Sequence, residues 1–123
     1  MEISKAELVV MQAIWQLAPC SAADVVAQLD NETDWHEKTV KTLLNRLVKK
    51  GAVSFVKDKR RYLYSAVIKK GEYQVAESTS LLNRLFEGRV SPLVSAFASR
   101  SKLSQQDVDE LKALISDWEK DND

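Results

Sequence analysis

The segment DWHEKTVKTLLNRLVKKG, residues 34 to 51, carries an apolar and a polar stripe along what helical spacing predicts to be a single helix. The apolar stripe consists of Val40, Leu43, Leu44, Leu47 and Val48. The polar stripe includes Lys38, Lys41, Thr42, Asn45 and Lys49. A basic helix face is most often simply exposed to solvent, so the segments around this helix must decide whether it has a partner.

Length and composition predict a single compact unit, or one domain with a smaller appendage, since the chain has 123 residues and 45% hydrophobic content. It contains no apolar run long enough to span a bilayer, and its start lacks the pattern of a secretory signal. We therefore expect a cytoplasmic protein with no membrane partner. One cysteine and one histidine are too few for an internal disulfide or a structural zinc site, and no metal or cofactor is expected.

The zero net charge conceals an uneven distribution of charged residues. Residues 38 to 70 hold 11 Lys/Arg against one acid, Asp58, whereas residues 71 to 123 hold 6 Lys/Arg against 10 acids. A segment this basic is typical of a surface that binds a polyanion such as nucleic acid.

Serine followed three residues later by an acid marks three helix starts, at Ser4, Ser21 and Ser104. The first two predict helices over residues 5–17 and from Ala22 to about residue 30. The opening segment supplies a third helix, which begins near His36 or Glu37 and ends at Gly51, because glycine readily adopts the left-handed conformation of a helix end.

After Gly51 the hydrophobic pattern changes from helical to alternating. The runs AVSFVK (52–57) and RYLYSAV (61–67) flank a polar stretch around Asp58 and predict a β-hairpin. Three helices and a basic hairpin predict a winged helix-turn-helix, mainly α with a small β-hairpin wing, whose third helix lies in the major groove of double-stranded DNA.

The predicted DNA face combines the third helix with the wing. Its residues are Lys38, Thr39, Lys41, Thr42, Asn45, Arg46 and Lys49 on the helix, and Lys57, Lys59, Arg60 and Arg61 on the wing. Thr42 and Arg46 lie mid-helix and are predicted to read base edges, while the lysines hold phosphates. The alternative is a winged-helix module that turns this face to an acidic protein partner. No catalytic site is expected, because Cys20 has no predictable base partner and no Gly-rich phosphate loop is present.

Residues 71–123 are predicted to form a helical dimerisation domain, and residues 1–70 the DNA-binding domain. A helix ending at Gly88, one starting at the Ser91-Pro92 signal and one over residues 105–120 are each too short to fill a core alone. We expect a homodimer, which implies a palindromic operator. The proposed pairing residues are Leu81, Leu85, Phe86, Leu93, Phe97, Leu111, Ile115 and Trp118.

Two single residues have alternative interpretations. His36 is placed to cap the third helix or to contact a phosphate. Cys20 precedes a helix start, where a lowered thiol pKa would suit a redox sensor, but a small residue filling a turn is the simpler interpretation.

The segments ISKAELVVMQAIW, SAADVVAQL, KTVKTLLNRLVKKG, LLNRLFEG and PLVSAFA resemble the penicillinase-repressor family, which also includes copper-responsive repressors. The resemblance covers nearly the whole chain, and KTVKTLLNRLVKKG is its most specific part. It implies a homodimeric transcriptional repressor with an N-terminal winged helix and a C-terminal dimerisation domain, and a link to antibiotic resistance.

The chain departs from the family pattern at two places. The resemblance implies a regulatory protease as a further partner, which in the β-lactam-responsive members cleaves an Asn-Phe bond. The corresponding pair here is Ala96-Phe97, so a protease would have to accept a small residue before Phe97. The C-terminal cysteine pairs of the copper-responsive members are absent, and copper sensing by that motif is not expected.

Overall fold

The computed structural model describes all residues from Met1 to Asp123, which form six helices and one two-stranded antiparallel sheet. The elements are α1 (Lys5–Leu17), α2 (Ala22–Leu29), α3 (Glu37–Lys49), β1 (Val53–Asp58), β2 (Arg61–Ala66), α4 (Lys70–Leu85), α5 (Val90–Ser99) and α6 (Gln105–Asp121). The predicted class, mainly α with a hairpin wing, is confirmed. No helix has the length and apolar character needed to cross a membrane.

The helix starts follow local hydrogen-bonding rules. The hydroxyls of Ser4 and Ser21 accept from the amides of Glu7 and Asp24, both at 3.1 Å, and each acid accepts in return from the serine amide. Ser104 caps α6 in the same way, accepting from the Asp107 amide at 3.0 Å. His36 is the N-cap residue of α3, as suggested, but its side chain makes no capping hydrogen bond.

The end of α3 is formed by Gly51, as predicted, with a φ of +80°. The Gly51 amide donates to the Val48 carbonyl and the Ala52 amide to the Leu47 carbonyl, both at 3.0 Å. This double closure reverses the chain within two residues and leads it into β1.

The backbone contacts divide the chain into two compact units, Met1–Gln74 and Val75–Asp123, with the division inside α4. The core of the first unit lies between α1, α2, α3 and the start of the sheet, and its largest fully buried side chains include Met11, Ile14, Leu44 and Leu47.

The second unit contains α5, α6 and most of α4, and none of its residues is buried within the single chain. α5 begins at Val90 with Arg89 as N-cap, one residue before the predicted Ser91 start. Pro92 therefore lies in the first turn, where its missing amide proton is tolerated and the helix can start earlier. α4 ends at Leu85, and both Glu87 and Gly88 have positive φ.

Candidate nucleic-acid interface

α3 separates its two stripes completely. The apolar residues Val40, Leu43, Leu44 and Leu47 are buried against α1 and α2. The predicted DNA-facing residues of this helix are all exposed: Lys38, Thr39, Lys41, Thr42, Asn45, Arg46 and Lys49. The polar face is therefore available to a partner over the whole length of the helix.

Two contacts within this face change what its side chains can offer. Lys41 Nζ lies 3.4 Å from Glu37 Oε1, an exposed pair worth only about 0.3–0.5 kcal/mol that a phosphate could displace. The Thr42 hydroxyl donates to the Lys38 carbonyl at 3.0 Å. While the Thr42 hydroxyl makes this bond, its oxygen can only accept a further hydrogen bond. It can therefore bind the amino group of a base, but it has no hydrogen left to donate to a phosphate oxygen.

The wing is a tight antiparallel hairpin. Asp58 pairs with Arg61 across a two-residue turn formed by Lys59 and Arg60, and Lys59 has a φ of +60°. Lys57, Lys59, Arg60 and Arg61 are all exposed, so four cations crowd the tip and its approach, where Asp58 is the single acid.

A cleft of about 350 Å³ connects α3 with the wing. Its lining residues are Ser21, Ala22, Ala23, Glu37, Lys41, Arg60, Arg61, Tyr62 and Tyr64. Three cations from the predicted DNA face, Lys41, Arg60 and Arg61, thus share one concave surface. The first turn of α2 forms another wall of the cleft, and its backbone amides add partial positive charge.

Sequence reasoning missed the tyrosines of this cleft. Tyr62 is 47% exposed and meets the Phe55 ring edge-on, with centroids 4.9 Å apart. Tyr64 on the same strand is buried, and burial raises the pKa of its phenol. Tyr62 and Tyr64 are two residues apart in RYLYSAV, which places them on one face of β2. This spacing would have allowed the sequence to predict that both tyrosines lie on the same side of the wing.

Lys50 behaves differently from the other lysines of the basic segment. Its ammonium lies 2.6 Å from Glu7 Oε1, in an ion pair whose carboxylate is buried. Burial alone would raise the pKa of Glu7, but hydrogen bonds from Lys50 and from the amide and hydroxyl of Ser4 outweigh it and lower the pKa to about 2. The positive charge of Lys50 is therefore neutralised within the fold.

Cys20 is fully buried, and its sulfur lies 3.9 Å from the Tyr64 carbonyl. Burial raises the pKa of the thiol, and nearby Asp24 raises it further. The suggestion of a lowered pKa is therefore wrong, because the thiol lies among apolar side chains and near a carboxylate.

The residues proposed for pairing lie on all three C-terminal helices and beside the end of α4. Leu81, Phe86, Leu93 and Leu111 are half-buried, while Leu85, Phe97, Ile115 and Trp118 are 49–65% exposed. The Ala96-Phe97 bond lies inside α5, so a protease that needs extended backbone would have to unwind this helix locally.

The three-helix core, the exposed face of α3 and the basic hairpin define a winged helix-turn-helix protein. The family model described as penicillinase repressor matches residues 3–117. The chain therefore belongs to the penicillinase repressor family.

Individual relatives agree with this assignment. The chain is 34% identical over 116 residues to the penicillinase repressor of Bacillus licheniformis, covering 94% of this chain and 91% of that protein. It is 31% identical over 115 residues to the methicillin resistance regulatory protein MecI of Staphylococcus aureus, covering 94% of each. The solution structure of monomeric B. licheniformis BlaI in complex with the blaP half-operator is similar with a TM-score of 0.51 at 37% identity, over 59% of this chain and 89% of that one.

Proposed function

We propose that this protein is a homodimeric transcriptional repressor that binds a palindromic operator in double-stranded DNA. The observation that carries the proposal is the exposed basic face of α3, continued through the cleft onto the wing. Exposed lysines, an arginine, threonines and an asparagine along one helix are side chains of the kind that bind phosphates and base edges in a major groove. The similar BlaI structure is a complex with a half-operator, which supports DNA as the partner here.

In this proposal residues 1–70 bind DNA, and residues 71–123 hold two chains together. The apolar side chains of the second unit support the second role. Leu114, Ile115 and Trp118 are each at least 57% exposed along one helix, α6. Exposed apolar surface of this kind is typical of an interface, and a second copy of the same surface would cover it.

The test is enrichment of a random duplex library on the full chain, followed by gel shift at defined salt and sedimentation of the complex. We expect an inverted repeat to be enriched and bound by two chains per duplex. A chain that enriches no sequence and instead retains an acidic protein would contradict the proposal and favour the protein-interaction module.

A further inference from the structure

Tyr64 lines the cleft between α3 and the wing and is only 6% exposed. Its main chain is bonded on both sides, since its amide donates to the Cys20 carbonyl at 2.6 Å and its carbonyl accepts from the Cys20 amide at 3.0 Å. Its phenol hydroxyl, by contrast, makes no hydrogen bond within the chain. Most buried polar groups in proteins are hydrogen-bonded, so this hydroxyl is open to a ligand in the cleft.

Positive charge lies close to this hydroxyl. Burial raises the pKa of the Tyr64 phenol, and the charge of Lys41 partly opposes that rise. The phenol oxygen therefore lies near Lys41, in the cleft that both residues line. Arg60 and Arg61 line the same cleft from the wing, and Glu37 is the one acid among its lining residues. The cations of the cleft thus outnumber its acid.

The first turn of α2 adds backbone donors to the same space. The Asp24 amide donates to the Ser21 hydroxyl at 3.1 Å, and the Val25 amide donates to the Ser21 carbonyl at 3.2 Å. The amides of Ala22 and Ala23 precede this ladder as the first two of the helix, and they have no acceptor within it. Both alanines line the cleft.

The donors of the cleft come from three elements, α2, α3 and β2, and suit an anion with more acceptor oxygens than a carboxylate has. We propose that the cleft is a site for one phosphate group, in which the Tyr64 hydroxyl donates a hydrogen bond and Lys41 and Arg61 supply positive charge. The volume of about 350 Å³ is at the small end of ligand pockets, which suits a phosphate group with a small organic part.

The phosphate group can come from two sources. One is a backbone phosphate of the operator, and this source rests on the proposed function. The other is a free phosphate monoester, which does not. Because both need the same cations, a free ester in the cleft competes with DNA and acts as a signal that releases it.

The first arm of the experiment uses the full chain without DNA. Inorganic phosphate and phenyl phosphate are titrated at constant ionic strength, and the amide NMR shifts of Ala22 and Ala23 report on the site. Tyr64→Phe removes only the hydroxyl and keeps the ring. Tyr73→Phe is the matched control, since it removes a phenol hydroxyl from α4, outside the lining of the cleft. Thermal unfolding is measured for each variant.

For a free ester, we expect Tyr64→Phe to weaken phosphate binding about tenfold, as the loss of one hydrogen bond to a charged group implies, and Tyr73→Phe to bind like the wild type. Phenyl phosphate should then displace operator DNA from the wild type at about tenfold lower concentration than from Tyr64→Phe. Operator affinity itself should be the same for both proteins.

The second arm uses the duplex that the wild type enriches, with backbone phosphates replaced one at a time by neutral methylphosphonates. If a backbone phosphate occupies the cleft, Tyr64→Phe should lower operator affinity about tenfold. The slope of log affinity against log salt should stay unchanged, because a phenol carries no charge, whereas Arg61→Met should reduce it by about one. The neutral linkage at the occupied position should cost Tyr64→Phe less than it costs the wild type.

Equal binding by the wild type and Tyr64→Phe in both arms would overturn the proposal and make the cleft a general electrostatic surface. A wild type that enriches no operator would overturn the proposed function alone, because the first arm involves no DNA. Failure to bind free phosphate as well would then overturn this inference too.

Discussion

Glu7 on α1 and Lys50 at the end of α3 form an ion pair with a nitrogen–oxygen distance of 2.6 Å, and the Glu7 side chain is only 3% exposed. The same Oε1 atom accepts from the Ser4 amide at 2.9 Å, and Lys50 also donates to the Glu2 carbonyl at 2.7 Å. One carboxylate oxygen thus closes the capping box of α1 and holds the end of the proposed recognition helix. The pair joins the first turn of α1 to the end of α3.

This pair predicts an acid-dependent stability. Because the pKa of Glu7 is lowered from 4.5 to about 2 on folding, its stabilising contribution is complete above pH 4.5 and is lost as the pH falls toward 2. Glu7→Gln should therefore be less stable at pH 7 and show a weaker fall in stability across that window. Urea unfolding at a series of pH values measures this, and equal slopes for the two proteins would contradict it.

The pair also predicts that neighbouring lysines contribute differently to DNA binding. Lys49 is exposed and has no ion-pair partner, whereas Lys50 is neutralised by Glu7. Lys49→Ala should reduce the slope of log affinity against log salt by about one, while Lys50→Met should leave it nearly unchanged. Lys50→Met should instead lower stability by about 1–3 kcal/mol, since it leaves Glu7 buried without its cation. A salt titration of both variants decides this, and equal slope changes would show that Lys50 also reaches DNA.

Arg46 should read bases. The structure places Arg46 in the last turn of α3 and not at mid-helix as the sequence suggested, but its side chain is exposed on the DNA-facing side, where a guanidinium can bond two acceptors of one guanine. Arg46→Ala should cost about 1–3 kcal/mol and relax preference at particular operator positions, unlike Lys49→Ala, which should weaken all sequences alike. Affinities for a panel of single-base operator variants provide the measurement. Uniform weakening by Arg46→Ala would place this residue on a phosphate.

The wing should contribute mainly electrostatic affinity. Lys59 and Arg60 form the hairpin turn and are exposed, outside the hydrophobic core. Replacing both with Ala should therefore leave the fold intact. It should reduce DNA affinity, most clearly at moderate salt. Gel shifts across a salt series test this, with circular dichroism as the folding control. Unchanged binding throughout the series would show that the wing points away from DNA.

Phe97 should couple pairing of chains to operator affinity. It is 49% exposed in the single chain, and burying it between two copies would make its truncation cost up to about 3–5 kcal/mol. Phe97→Ala should then shift the protein toward monomer at micromolar concentration and weaken operator binding. A monomer binds one half-site only and loses the gain in affinity that comes from binding both half-sites at once. A chain ending after Ala96 should do so more severely, while Ser95→Ala on the same helix is the control. The dimerisation account fails if Phe97→Ala sediments as a dimer and binds normally.

The sequence by itself determined the helix starts and the two faces of α3. Serine caps act within three residues and helical stripes within four, so both signals are complete in a short segment. The same short range explains why the start of α5 was predicted one residue too late. A proline is tolerated at more than one position in the first turn of a helix, so Pro92 alone does not fix where the helix begins.

Only the tertiary structure decided which charges and rings meet. Lys50 looks like its neighbour Lys49 in sequence, yet its partner Glu7 lies 43 positions away. Trp15 reaches the Ile68 carbonyl across 53 positions, and Cys20 meets Tyr64 across 44. Lys41 of α3 and Arg61 of the wing line one cleft although they are far apart in the sequence. Such contacts depend on the path of the whole chain around a shared core, because burial places side chains together irrespective of their separation in sequence.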